Sequence, residues 1–309
     1  MAKFTLTSQI LAKLCSVNHF SIPDVELIFF GIRGALPIHY DDCSFQNAID
    51  LNTAEINYTY PRCTLIQWRR AIDQLAAFTG STVPHKKFIA EAFQINGNGA
   101  NCLLTAYYKD FRKGTHKAGS RTASEAFVQT QSRGFRRTSD NLTYDTDDRV
   151  EFDNPGDNLH AAWCGGLNQD YSSAGCQVVT GYPKCMQRGT ASINTGAWAV
   201  FHDNAYRIEQ TSFPYVLLTG FEAMSMAARV NEQLSSKLRF GSSGEEVKTL
   251  QQALKQRGFY EGNIDTDFGL RTLKALLEFQ KQDFGNGGAD GVCGVNTAAA
   301  LGISLKLVQ

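Results

Sequence analysis

The sequence has no excess of charge of either sign, because 30 basic residues balance 30 acidic ones in a chain of 309. A chain without a net field does not draw in nucleic acid or an anionic membrane over long distances. The sequence also lacks a run of about 18 apolar residues, the minimum for a membrane-spanning helix. We therefore expect no nucleic-acid partner and no membrane insertion, and a partner that is recognised locally.

Signals for secretion are absent as well. Polar residues interrupt the first apolar stretch before the hydrophobic core of a signal peptide develops. The eight cysteines are spread from Cys15 to Cys293 without a CxxC pair, unlike the dense framework of a small secreted domain. We expect synthesis in the cytoplasm without a signal peptide, so that a target outside the cytoplasm would require separate delivery.

Residues 236–309 have the pattern of a small helical domain. Val247, Leu250 and Leu254 recur at helical spacing, and Gly258 stands where a C-cap would end that helix. The loops "DTDFGLRT" at 265–272 and "DGVCGVNT" at 290–297 share Asp, Gly and Thr at the same offsets, and each leads towards a helix. Three short helices are predicted.

This segment resembles the three-helix type of peptidoglycan-binding domain, which implies peptidoglycan as a partner. Thr266 and Cys293 depart from residues that are more usual in the family. The matching positions are Leu238, Arg239, Gly241, Gly244, Val247, Leu250, Gln251, Leu254, Gly258, Gly262, Ile264, Asp265, Phe268, Gly269, Thr272, Phe279, Gln280, Asp290, Gly291, Gly294, Thr297 and Leu301.

Upstream of the small helical domain, residues 45–215 are predicted to form a mostly β domain. Residues 45–215 contain short apolar runs separated by Gly, Asn, Asp and Pro, which is typical of strands joined by long loops. Residues 1–44 are interpreted as a partly helical segment of unknown role, and residues 216–235 as a helical linker. The expected architecture is a multidomain α+β protein with a small C-terminal three-helix domain.

The stretch "NLHAAWCGGLNQDYSSAGCQVV" at 158–179 could hold a nucleophile. A cysteine attacks as a thiolate, so it needs a nearby base, and His160 could supply one. The attack also needs backbone N–H groups that face the developing oxyanion, and the small residues before Cys176 allow a turn that exposes them. The alternative is an ordinary buried histidine and cysteine.

The same stretch resembles the L,D-transpeptidase catalytic domain, whose signature is a histidine at a strand end followed by Ser-His-Gly-Cys. The segment "FTGSTVPHKKFIAEAF" at 78–93 agrees with a family segment in which Ser or Thr and Pro precede a turn and a strand. By this resemblance Cys176 is the nucleophile and His160 its base. Ser173 is a supporting group, and the amides of Gly175 and Cys176 form part of the oxyanion hole.

Three positions depart from that signature. Ala174 replaces a second histidine, and Gln177 and Val178 replace the apolar residue and the Arg or Asn that normally follow the cysteine. Hydrolysis of the acyl-enzyme is therefore as consistent with the sequence as transfer to an amine. The sequence favours a cysteine enzyme that acts on peptidoglycan stem peptides, either as an endolysin-like or effector-like peptidase or as an L,D-transpeptidase.

Other interpretations stay open. The protein could be a non-catalytic wall-binding or structural component, or a zinc-dependent hydrolase with ligands among His160, Cys164, Cys176 and Cys185. Those four lack the short CxxC spacing of common zinc sites, so we expect no metal and no cofactor. A Cys164–Cys185 disulfide is undetermined. A phage or contractile-injection apparatus is a candidate for delivery to the bacterial cell wall.

Substrate contacts are predicted for three further residues. His116, in "RKGTHKAG", could line the cleft or be an ordinary loop histidine. Trp163 and Tyr171 are interpreted as packing residues or as walls of the substrate site, because aromatic side chains combine a large apolar area with a polar tip.

Overall fold

A computed structural model describes residues 1–138 and 140–309, with residue 96 described by its backbone alone. The strands are β1 (Lys3–Thr7), β2 (Ile28–Arg33), β3 (Ala35–Pro37), β4 (Ala48–Thr53), β5 (Cys63–Arg69), β6 (Gln74–Ser81), β7 (Cys102–Leu103), β8 (Ala106–His116), β9 (Ser124–Val128), β10 (Arg133–Arg137), β11 (Arg149–Asp153), β12 (Leu159–Ala161), β13 (Gln177–Val179), β14 (Ser212–Thr219), β15 (Leu234–Ser235) and β16 (Leu307–Val308). The α-helices are α1 (Ser8–Val17), α2 (Lys86–Asn96), α3 (Gly196–Tyr206), α4 (Gly220–Ala228), α5 (Glu245–Gln256), α6 (Leu270–Phe284) and α7 (Val295–Leu301).

Eight of these strands close into a barrel in the order β12-β13-β6-β5-β2-β14-β8-β9. Closure gives each of these eight strands a neighbour on both sides. Most neighbours are antiparallel, but β12 runs parallel to β13 and β14 runs parallel to β2. Aromatic side chains fill the interior, where Phe29 stacks on Phe213 with ring centroids 4.6 Å apart. The mixed α+β architecture that the sequence predicts is confirmed.

The barrel extends beyond both ends of residues 45–215, the segment that was expected to be mostly β. It includes β2 upstream of that segment, and β14 continues past its end. The apolar run in β2 has no polar alternation because both of its faces are buried: Phe29 belongs to the barrel interior, and Phe30 belongs to a second core outside it. Helices α1 and α4 contribute to that outer core. The expected boundaries at 45 and 215 therefore do not coincide with the barrel. The segment interpreted as a linker begins with the end of β14 and continues into α4.

One expected local element is also different. The segment after Pro84 was expected to form a turn and a strand, but it forms α2, with His85 as its N-cap. The Nδ1 atom of His85 accepts the N–H of Lys87 at 3.1 Å, which satisfies one of the free donors at the helix start. Ile89 of this helix is fully buried.

Helices α5, α6 and α7 form the predicted C-terminal three-helix unit, and the two repeated loops have the same internal geometry. The amide nitrogen of Gln251 donates to the carboxylate of Asp265 at 2.7 Å and to the hydroxyl of Thr272 at 3.1 Å. In the second repeat the amide nitrogen of Gln280 donates to Asp290 at 2.8 Å and to Thr297 at 3.3 Å. Each buried glutamine thus holds the loop that precedes the next helix.

The C-terminal unit packs against the barrel region through buried polar contacts. Arg239 pairs with Glu222 of α4 and also donates to Thr105 at 3.0 Å. The hydroxyl of Ser242 donates to the carbonyl of Asn18 at 2.6 Å. Among the helices of the described part of the chain, none has the length and apolar character required to cross a bilayer.

Candidate functional site

The candidate base lies on strand β12 of the barrel, and the candidate nucleophile directly precedes the neighbouring strand β13. His160 is the middle residue of β12 and is paired with Val178 of the parallel strand β13. Cys176 comes directly before β13. Leu159 and Ala161 belong to the interior core, so the alternation of side chains along a strand places His160 on the outer face of the barrel.

A third residue from a distant part of the chain joins them. His116 ends β8, which pairs with β9, and β9 in turn pairs with β12 where the barrel closes. One ring nitrogen each of His116 and His160 and the sulfur of Cys176 all lie within 4.8 Å of one another. The two imidazole rings are stacked, with centroids 4.0 Å apart and 15° between the planes. His160 and Cys176 are 4% and 8% exposed, while His116 is half-buried.

The hydrogen bonding of His160 decides which of its nitrogens can act as a base. Its Nδ1 lies 2.8 Å from the carbonyl oxygen of Ala161. Because a carbonyl oxygen only accepts, Nδ1 carries the proton and Nε2 presents a lone pair. His160 is therefore in the tautomer that can take a proton from a thiol at Nε2.

The resting pair is neutral. Burial lowers the pKa of His160 well below its usual range, and the adjacent His116 lowers it further. Burial also raises the pKa of Cys176, and the nearby carboxylate of Asp157 adds to that effect. Desolvation, the largest of these effects, therefore acts against formation of the thiolate in the resting site.

The turn before Cys176 is tightly constrained. The hydroxyl of Ser173 donates to the carbonyl of Cys176 at 2.7 Å and accepts the N–H of Gly175 at 3.1 Å. Gly175 has a φ of 138°, and a Cβ there would lie 2.4 Å from a carboxylate oxygen of Asp157. The amide of Gly175 is occupied by Ser173, so it does not face an oxyanion as the sequence suggested. Ser173 therefore supports the turn.

The segment that precedes α2 is hydrogen-bonded to the turn before Cys176. The N–H of His85 donates to the carbonyl of Ser173 at 2.8 Å. The hydroxyl of Tyr171 donates to the carbonyl of Pro84 at 3.1 Å, and its ring packs in a small core with Cys176. Tyr171 therefore lies behind the nucleophile as a packing residue. Trp163, which is half-buried and has a φ of 60°, stays a predicted substrate contact.

A buried carboxyl group that the sequence did not reveal lies beside the nucleophile. The Oδ1 atom of Asp157 accepts the amide of Asn101 at 3.3 Å, whereas its Oδ2 atom is buried without a hydrogen-bond partner among the described residues. Burial raises the pKa of Asp157 to about 6. A single aspartate in a polar loop gives no sequence signal for such a position.

The four residues of the alternative zinc site are not brought together. Within residues 1–138 and 140–309, the one group of metal-binding side chains in this region is His116, His160 and Cys176. Cys164 and Cys185 are free thiols and do not belong to it. The disulfide between them that the sequence left open is thus not formed.

Comparison with known proteins identifies the C-terminal unit. Residues 243–301 match the family described as a putative peptidoglycan binding domain. An N-acetylmuramoyl-L-alanine amidase, CwlM, from Mycobacterium tuberculosis is 45% identical over 58 residues, which is 19% of this chain and 14% of the amidase. A spore cortex-lytic enzyme from Bacillus cereus is 46% identical over 61 residues, which is 20% of this chain and 23% of that enzyme.

The predicted C-terminal peptidoglycan-binding domain is confirmed by this family match. The chain spans less than a quarter of the length of the curated relatives named above. No solved structure matches the chain. The resemblance of the barrel region to L,D-transpeptidases consequently rests on its own residues, without support from these comparisons.

Proposed function

We propose that this protein is a peptidoglycan-directed enzyme that uses Cys176 to attack a peptide bond of the stem peptide at the bacterial cell wall. The observation that carries the proposal is the juxtaposition of Cys176 with His160, whose tautomer presents a lone pair at Nε2. The C-terminal domain supplies the substrate class, since it belongs to a family that binds peptidoglycan. Of the two relatives named above, one is named as an N-acetylmuramoyl-L-alanine amidase and the other as a spore cortex-lytic enzyme.

The neutral resting pair sets the order of events. As Sγ of Cys176 attacks the carbonyl carbon, Nε2 of His160 takes the thiol proton and the C=O electron pair moves onto oxygen. When the tetrahedral intermediate collapses, the C–N bond breaks and His160 returns the proton to the departing amine. Water or a second amine then attacks the thioester, which regenerates the thiol and gives hydrolysis or transfer respectively.

A non-catalytic wall-binding protein is the second candidate, and the burial of Cys176 favours it. The residue is 8% exposed, and its pKa is raised rather than lowered. Most reactive cysteines lie in partly exposed, electropositive surroundings. This alternative predicts binding to sacculi without any chemical change.

Both candidates are tested by incubating the pure protein with sacculi and profiling the released muropeptides by mass spectrometry. New cross-links would indicate transfer, and shortened stems would indicate hydrolysis. Cys176→Ala should abolish the change while leaving binding to sacculi intact, because loss of a nucleophile costs several orders of magnitude in rate.

Cys164→Ala is the matched control. Cys164 is a free thiol that packs in the same small core as Cys176 and is 1% exposed, so its replacement perturbs the packing without removing the proposed nucleophile. Activity lost equally in both variants would point to packing alone. An unchanged muropeptide profile with the wild-type protein would leave the wall-binding interpretation.

A further inference from the structure

The amide of Asn158 is held in one orientation, and this fixes the tautomer of His116. The Oδ1 atom of Asn158 accepts the backbone N–H of Gln129 at 2.9 Å. Its Nδ2 atom is therefore the one that lies 3.0 Å from Nδ1 of His116. An amide nitrogen only donates, so Nδ1 of His116 must be the acceptor. A neutral His116 consequently carries its proton on Nε2.

His116 is neutral under ordinary conditions. Burial lowers its pKa to about 4, and the neighbouring Lys117 contributes in the same direction. The two stacked imidazoles therefore have opposite tautomers: His160 presents a lone pair at Nε2, and His116 presents an N–H there. The two rings are stacked, and one nitrogen of each ring and the sulfur of Cys176 lie within 4.8 Å of one another.

We propose that His116 is a catalytic residue that donates a hydrogen bond from Nε2 to the oxygen of the carbonyl group that Cys176 attacks. This inference rests on the proposed cysteine chemistry. The sequence suggested the amides of Gly175 and Cys176 as oxyanion donors, and the amide of Gly175 is engaged by Ser173, so that a further donor is needed. Two donors, one from the backbone and one from His116, would then face the oxyanion, as acyl-transfer sites commonly require.

The test compares two reactions of the same thiol. Acylation of Cys176 by p-nitrophenyl acetate passes through an oxyanion, whereas alkylation by iodoacetamide displaces iodide at a saturated carbon and forms none. His116→Phe keeps a ring that can stack on His160 but removes the donor. It should slow acylation by about 10²–10³-fold, the usual effect of losing one oxyanion donor. Its alkylation rate should change much less than its acylation rate.

His116→Gln is the conservative variant, because its side-chain amide can place an N–H near the position of Nε2. It should recover much of the acylation rate that His116→Phe loses. Equal loss of acylation and alkylation in His116→Phe, or no loss of either, would overturn the proposal. So would a glutamine variant as slow in acylation as the phenylalanine variant.

A second measurement does not depend on any variant that could fail to fold. The ¹⁵N chemical shifts of the histidine ring nitrogens in the wild-type protein distinguish protonated from unprotonated nitrogens. His116 should show a protonated Nε2 and an unprotonated Nδ1, and the reverse pattern would overturn the inference. Both measurements use only the protein and small reagents. If the protein has no effect on sacculi, the proposed substrate class is wrong, but the role of His116 can still be tested by these two measurements.

Discussion

Replacing Gly175 by alanine tests how tightly the turn before the candidate nucleophile is built. The φ of 138° at Gly175 lies in a region that residues with a side chain rarely adopt. The added Cβ would also lie 2.4 Å from Oδ1 of Asp157 and 2.8 Å from Cβ of Asn101. Both of those side chains are buried, so neither can move away into solvent.

The two costs can be separated with a control glycine. A side chain held in such a conformation costs about 1–3 kcal/mol, and overpacking a filled site costs roughly another 1–3 kcal/mol. Gly189 has a φ of 103°, but nothing lies within 4 Å of a Cβ built there. Gly189→Ala should show only the conformational cost. Gly175→Ala should therefore be less stable than Gly189→Ala by about 1–3 kcal/mol.

Urea unfolding followed by tryptophan fluorescence measures this difference, because Trp68, Trp163 and Trp198 all lie outside the C-terminal unit. The rate of Cys176 alkylation in the folded protein gives a local readout of the same turn, and it should change in Gly175→Ala but not in Gly189→Ala. If the two variants were equally destabilised and alkylation of Cys176 were unchanged in both, the turn would have room for a side chain at Gly175 and the prediction would be wrong.

Three further predictions follow from the site and from the C-terminal repeat. The rate at which Cys176 is alkylated should rise with pH without levelling off near neutrality. Asp157→Asn should increase this rate, because the carboxylate helps to raise the pKa of the thiol. Peptide mapping by mass spectrometry measures the rate, and a plateau near pH 7 would contradict the prediction. Elemental analysis should find no stoichiometric zinc, since Nε2 of His116 carries a proton while Asn158 occupies Nδ1; one zinc per chain would contradict that tautomer. Gln280→Ala should destabilise the helical unit by about 1–3 kcal/mol, because it leaves buried polar partners unsatisfied, whereas the exposed Gln252→Ala should have little effect in circular dichroism melts.

The C-terminal domain could be predicted from the sequence because its signals are local. Helical spacing and the two Asp-Gly-Thr loops lie within one short segment, and the structure shows why the loops repeat: Gln251 and Gln280 make equivalent bonds to them. The glutamines themselves stand out only once the two repeats are aligned. Their role depends on side-chain bonds that the hydrophobic pattern does not encode.

The closure of the barrel could not be predicted in the same way. Strands β2 and β14 are short apolar runs buried on both faces, and such runs lack the alternation that distinguishes a strand from a buried helix. Their parallel pairing joins residues 28–33 to residues 212–219, and nothing local in either run indicates its partner. The expected boundaries at 45 and 215 do not coincide with the barrel for this reason.

The candidate site was predicted in part. His160 on β12 and Cys176 directly before β13 are close in the chain, so a short motif could reveal them. The position of His116 depends on β8, β9 and β12 being neighbours around the barrel, which is a property of the closed sheet. The neutrality of the thiol depends on burial and on Asp157, and neither can be read from residue types and spacing.

The packing of the two units changes how wall binding and catalysis would be coupled. A binding domain joined by a flexible linker would act mainly by raising the local concentration of stem peptides. Instead, Arg239 bridges to Glu222 and Thr105, and a cavity of about 560 Å³ lies between the units, bordered by Gln280 and Asp290 of the second repeat. Under the proposed function, a glycan strand held by the C-terminal domain would meet Cys176 at a set distance and orientation. The C-terminal domain would then determine which stem peptides react, because only those at that fixed position could reach the thiol of Cys176.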